Sequence, residues 1–222
     1  CPTDGNVKCR DNFPLLCYVS FSGCIKVTQE ALANFEMTRK SQNDQFVNVH
    51  CSKQGLVALG IPGYCTPLHA AMWASKPEIV SLLLEHGANP FETDMTGNNA
   101  FLYACAMGNT ENVKFWLARF PEWDLERKDT LVGGVAIGHT VFNGPNRFNI
   151  VKLLLDRGAS MDYRTHTGGS LLTALCACED GSPNVLCLVL ERMKEQLGKQ
   201  EIVYRRRGNT LKWRNIFRLA RL

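Results

Sequence analysis

Between residues 66 and 192 the apolar positions recur as pairs of short helical segments separated by turn residues. Thr66-Pro67-Leu68-His69-Ala70-Ala71 opens an Ala-rich segment. Fourteen residues after Thr66, Val80-Ser81-Leu82-Leu83-Leu84 carries an apolar stripe that stops at Gly87. Thirty-three positions beyond Thr66, Asn99–Gly108 repeats the small-residue segment and Glu111–Leu117 the second helix. A third copy reads Val135–Phe142, then Asn149–Ala159, and its Leu153-Leu154-Leu155-Asp156-Arg157-Gly158-Ala159 matches Leu82–Ala88 almost letter for letter. A fourth reads Ser170–Cys178, then Asn184–Glu191, joined by the turn Asp180-Gly181-Ser182-Pro183. The spacing between the second helices of copies two and three widens to 38, with the extra residues near 128–134 and 143–146, both loops by composition.

A unit of this kind cannot bury its apolar face alone and has to stack on its neighbours. The Thr-Pro-Leu-His turn, the Ala-rich first helix, the Leu-rich second helix and the Gly stop together resemble the ankyrin-repeat family, from about Gly63 to Arg192. The likeness is sharpest in copies one and three. In copies two and four Leu102 and Thr173 replace the histidine, which in the family ties neighbouring finger loops together. The resemblance implies an all-α fold: an ankyrin-repeat solenoid of stacked helix-turn-helix repeats with finger loops, divided at about 63–94, 95–127, 128–164 and 165–195.

The flanks depart from the pattern. Phe13–Val19, followed by Gly23, reads as a degenerate first helix, and Val27–Phe35 as its outer partner with apolar positions 27, 31, 32 and 35 on one face. Phe46–Val49 and Leu56–Leu59 read as two short strands or an elongated finger, so 1–62 is either an eroded N-terminal repeat with a long finger loop or a cap of another kind. Residues 196–222 form a basic C-terminal segment. In it Thr210 reads as a helix cap and Leu211–Leu222 as an amphipathic helix, with Trp213, Ile216, Phe217 and Ala220 on one face and Arg214, Arg218 and Arg221 on another.

Charge sharpens that division. Residues 199–222 hold eight basic side chains and one acid, whereas the rest of the chain holds 17 basic and 20 acidic ones. Contact with nucleic acid or an anionic membrane is therefore expected only through 199–222, and the simpler reading packs Trp213 and Phe217 onto the array. Val185–Leu190 is only six residues long, far short of a membrane span. Cys1-Pro2-Thr3-Asp4 has no signal-peptide character, and without an initiator Met the chain reads as a fragment of a longer one.

Ten cysteines in a chain of this length point to reduced thiols in an intracellular setting, cytoplasmic or nuclear, with Cys105, Cys176 and Cys187 as small core hydrophobes. His50, Cys51 and Cys65 lack the tight knuckle spacing of a zinc site, so no metal and no cofactor is expected. Gly133-Gly134 and Gly168-Gly169 lack a phosphate-loop context, and nothing in the spacing of the five histidines singles out a nucleophile and base. The chain reads as a non-enzymatic monomer with no small-molecule substrate.

What the resemblance implies instead is a scaffold that binds partner proteins on its concave surface, through side chains the stack does not need. The fingers would offer Met95, Thr96 and Asn98, then Arg127, Lys128 and Asp129, then Tyr163, Arg164 and His166. The first helices would offer Trp73, Ala74, Ala106, Met107, Phe142 and Asn143, with Trp73, Met107 and Phe142 as anchors because aromatic and Met side chains supply much contact area. The rival reading is a regulatory ankyrin segment of a larger enzyme or channel.

Overall fold

Small residues on the first helices let them pack flank to flank. α1 (Leu15–Ser22) lies against α3 (Pro67–Ala74), α3 against α5 (Ala100–Ala106), α5 against α7 (Ala136–Asn143) and α7 against α9 (Leu171–Ala177). The second helices form an outer row: α2 (Ile25–Thr38) meets α4 (Pro77–Glu85), α4 meets α6 (Thr110–Arg119) and α6 meets α8 (Arg147–Asp156). Each helix also packs on its own partner, α1 on α2 through α7 on α8. This two-row stack is the solenoid expected from the repeats. The computed structural model describes residues 15–38, 46–51, 63–74, 76–143, 147–177, 183–197, 203–206 and 209–212, within two compact units, 1–181 and 182–222.

Three helix ends explain why the Gly stops recur. At Gly87 the φ of +87° is one that L side chains avoid; Gly87 N–H donates to Leu84 O at 3.1 Å and Ala88 N–H to Leu83 O at 2.9 Å. The same pair of bonds closes α5 at Gly108–Asn109 and α8 at Gly158–Ala159. Between the stops, Ile79, Val80 and Leu83 of α4 and Ile150, Val151 and Leu154 of α8 are fully buried, facing the inner row. Polar bonds tie repeats together: Asn112 Nδ2 donates to Ala71 O at 3.2 Å, and Arg157 donates to Leu117 O at 2.8 Å.

The N-terminal flank differs from one expectation. Phe46–Asn48 is a turn of 3-10 helix and not a strand, while 56–59 lies outside the described residues. In the second unit, α10 (Pro183–Leu197) contains the stretch read as the fourth outer helix. The helix expected from Leu211 is corrected at its start: β1 (Val203–Arg206) and β2 (Asn209–Lys212) pair antiparallel, Tyr204 opposite Leu211 and Arg205 opposite Thr210. Gly208, which lies in sequence between the two strands, suits a hairpin connection as readily as a helix start. Trp213 and the arginines beyond it lie outside the described residues.

Candidate functional site: the finger row

Each finger is organised by one residue at its base. In the first, Asp94 is buried; its Oδ1 accepts the N–H groups of Thr96 at 2.8 Å and Asn98 at 2.9 Å, and its Oδ2 accepts the Tyr103 hydroxyl at 2.6 Å. The Asp94 N–H also donates to Asn98 O at 3.0 Å, and Met95 sits at the tip, 57% exposed. Gly97 is required: at φ +80° a Cβ would meet Thr130 at 2.7 Å. In the second finger Asp129 Oδ1 accepts from Leu131 and Val132, and Oδ2 from Gly134 N at 2.7 Å and His139 Nε2 at 3.0 Å. Leu131 and Val132 are left 69% and 48% exposed. In the third finger Thr165 takes the Asp place, its Oγ1 accepting from Gly169 N at 2.8 Å.

Main-chain bonds join the fingers into one row. Met95 N–H donates to Gly63 O at 3.1 Å, Thr130 N–H to Thr96 O at 2.9 Å and His166 N–H to Val132 O at 2.9 Å. Lys128 Nζ adds a bond to Arg164 O at 2.8 Å. Tyr64, Met95, Leu131, Val132 and His166 therefore follow one another along the finger edge, each exposed.

The residues read as partner-facing divide accordingly. Met95, Lys128, Arg164 and His166 are exposed, and Thr96, Asn98 and Arg127 half-buried. Thr96 Oγ1 and the Asn98 main chain are held by Asp94 and His69. On the first helices Phe142 is 50% exposed, Met107 is half-buried, and half-buried Trp73 rests its ring 5.3 Å from that of Tyr103. Tyr163 is a correction. It is 5% exposed and fills the space above Gly138, where a Cβ would meet its hydroxyl at 2.5 Å. Asp129 is likewise buried and not surface-facing. Cys176 and Cys187 are exposed, whereas Cys105 is buried as expected.

Leu131, Val132 and Tyr64 were not singled out from sequence. Leu131 and Val132 follow Asp129 by two and three residues, whereas Met95 follows Asp94 directly, so the two fingers do not align position by position. Phe91 was missed as well; exposed, it stacks on Trp123 with ring centres 5.3 Å apart.

Among the described residues no group of three or more His, Cys, Asp or Glu side chains could hold a metal. No described helix is long and apolar enough to cross a membrane.

Comparison with known proteins agrees with this geometry. The sequence model for ankyrin repeats matches residues 15–129, in three copies. A stretch of 67 residues, 30% of this chain, is 42% identical to Zygote-specific protein 3 of Chlamydomonas reinhardtii. Over 133 residues, 58% of this chain, it is 26% identical to the nuclear factor NF-kappa-B p105 subunit of Gallus gallus. The matched segments span 18% and 13% of those two proteins.

Proposed function

Because this chain belongs to the ankyrin-repeat family, whose repeats are generally protein-interaction modules, we propose that it is a non-enzymatic scaffold for a partner protein. The partner docks along the finger row and the neighbouring ends of the first helices. One observation carries the reading: the exposed apolar run of Tyr64, Met95, Leu131 and Val132, which the inter-finger bonds hold in line and no described element covers. The Leu131 side chain is largely exposed and that of Val132 about half exposed, and contiguous exposed apolar side chains mark interaction sites. Phe142 extends the surface onto α7, while Lys128 and Arg164 rim it with positive charge. α1 and α2 supply a first repeat of the same array, since they stack on α3 and α4 in the same way as later pairs.

The test is a comparison of proteins captured by chemical cross-linking to the whole chain and to Met95→Ser/Leu131→Ser/Phe142→Ser. Loss of a reproducible partner in the triple variant, with circular dichroism unchanged, is the expected result. Retention in that variant together with loss on deleting 199–222 would move the function to the basic tail.

A further inference from the structure

Three reduced cysteines from separate parts of the chain meet beneath the first finger. Cys51 N–H donates to Cys65 O at 2.8 Å, and Cys65 N–H donates to Cys51 Sγ at 3.1 Å. Cys17 Sγ lies 3.9 Å from the carbonyls of Val49 and Cys65. All three side chains are buried. One main-chain bond makes the two residues neighbours, and the Cys51 sulfur, 3.1 Å from the Cys65 nitrogen, lies within reach of the Cys65 sulfur for disulfide closure. We propose that Cys51 and Cys65 are a peroxide-oxidisable dithiol that closes to a disulfide.

The two sulfurs are unequal. The Cys65 side chain stabilises the Cys51 thiolate; burial opposes this, and the N–H groups of Cys65 and Tyr64 and the charge of His50 assist, so the Cys51 thiol falls to about 7. Cys65 is pushed the other way by the same contact and by burial, and its Sγ sits 3.1 Å from Tyr103 Oη. Cys51 is thus the nucleophile and Cys65 the resolving thiol. Cys105 serves as an internal contrast, since burial pushes its thiol up to about 12.

The chemistry balances with hydrogen peroxide as oxidant. Cys51 thiolate attacks one peroxide oxygen, the O–O bond breaks, and Cys51 sulfenic acid forms with hydroxide, which takes up the proton Cys51 had released. Cys65 sulfur then attacks Cys51 sulfur; the S–O bond breaks and the hydroxyl leaves as water with the Cys65 proton. Two thiols lose two electrons and two protons, and one peroxide becomes two waters. The bond closes a ring over residues 51–65, including Gly63, whose carbonyl holds Met95 in the finger row. The site itself does not depend on the proposed scaffold role.

The experiment treats the reduced full chain with stoichiometric hydrogen peroxide near neutral pH, blocks remaining thiols with iodoacetamide and maps tryptic peptides without reduction. Lys53 is the one Lys or Arg between the two cysteines and Lys76 precedes Pro77, so a disulfide joins the peptide Ser41–Lys53 to Gln54–Lys114, which also carries Cys105; fragment ions that place the link at Cys65 identify the product. That linked pair is expected as the first product, ahead of Cys105 oxidation by about tenfold or more. In Cys65→Ser, Cys51 should accumulate dimedone-reactive sulfenic acid; in Cys51→Ser, Cys65 should not. Earlier oxidation of exposed Cys24 or Cys176 without the linked pair, or a first link through Cys17, overturns the proposal on the unmutated chain alone.

Discussion

His139 Nε2 lies 3.0 Å from Asp129 Oδ2, and one repeat earlier Tyr103 Oη lies 2.6 Å from Asp94 Oδ2. Both side chains are the fourth residue of a first helix, α7 or α5, and each pins the carboxylate that builds the finger before it. His139 therefore does not occupy the place of His69, which is the third residue of α3. The equivalent third residues are Leu102 and Gly138, so α5 and α7 hold their fingers from a neighbouring position with a different side chain.

Removing the second of these carboxylates should loosen a whole finger. Burial works to raise the Asp129 carboxyl, but the His139 bond, the N–H groups of Val132 and Gly134 and the His139 charge outweigh it, and it stays well below the usual range. A depressed folded value means the stabilisation is present above the ordinary carboxylate range, near 4, and is lost as pH falls below it. Asp129→Asn is expected to cost about 1–3 kcal/mol at neutral pH and to flatten the acid limb. Urea midpoints from pH 3 to 7 for both proteins check this.

His69 should act in a higher window. Its Nδ1 accepts the Thr66 N–H at 3.2 Å and lies 2.8 Å from the Thr66 hydroxyl, so Nε2 carries the hydrogen toward Asn98 O at 3.0 Å. Burial lowers it from 6.5 to about 4, despite opposing help from the Asn98 carbonyl and the Asp94 charge. The unfolded chain thus binds a proton that the folded chain refuses. Stability is expected to fall between pH 6.5 and about 4 by roughly 3 kcal/mol, a loss that His69→Asn removes. Equal slopes in the two proteins would reject the assignment.

Leu83→Ala and Leu154→Ala empty fully buried places on α4 and α8. Each is expected to cost about 2–5 kcal/mol in thermal or urea unfolding. A neutral result at either would mean that the outer-helix register is wrong.

Gly138 and Tyr163 should behave as one unit. A Cβ at Gly138 would meet the Tyr163 hydroxyl at 2.5 Å and its ring carbon Cζ at 2.8 Å. Gly138→Ala alone is expected to cost about 1–3 kcal/mol by overpacking. Combining it with Tyr163→Leu should recover part of that loss, so a double-mutant cycle that comes out additive would deny the contact.

Metal removal should do nothing to the melting temperature of the reduced protein. His50 bonds Tyr64 O through Nδ1 at 2.8 Å and faces Glu92 at 3.5 Å through Nε2, so both ring nitrogens are engaged. A melting temperature that drops in chelator would overturn this reading, because a structural metal couples directly to folding.

Periodicity alone carried the architecture. Leu83 and Leu154 sit at the same step of two nearly identical strings, and Gly87 and Gly158 end both helices, because apolar spacing and chain reversal are local properties of the sequence. The finger surface was less legible. Met95 was expected on a finger from the resemblance, but Leu131 was passed over in favour of Asp129, since the widened loop hides which residue turns inward. Tyr163 is the clearest case. Its exposure depends on a glycine 25 positions earlier leaving a space on α7, and no local pattern records that pairing. The meeting of Cys17, Cys51 and Cys65 is of the same kind. Local chemistry, read from residue order, decides which segments become helices and where they stop. Which side chain then faces water, or another sulfur, is decided by what the neighbouring repeat leaves unfilled, and that emerges when the stack closes.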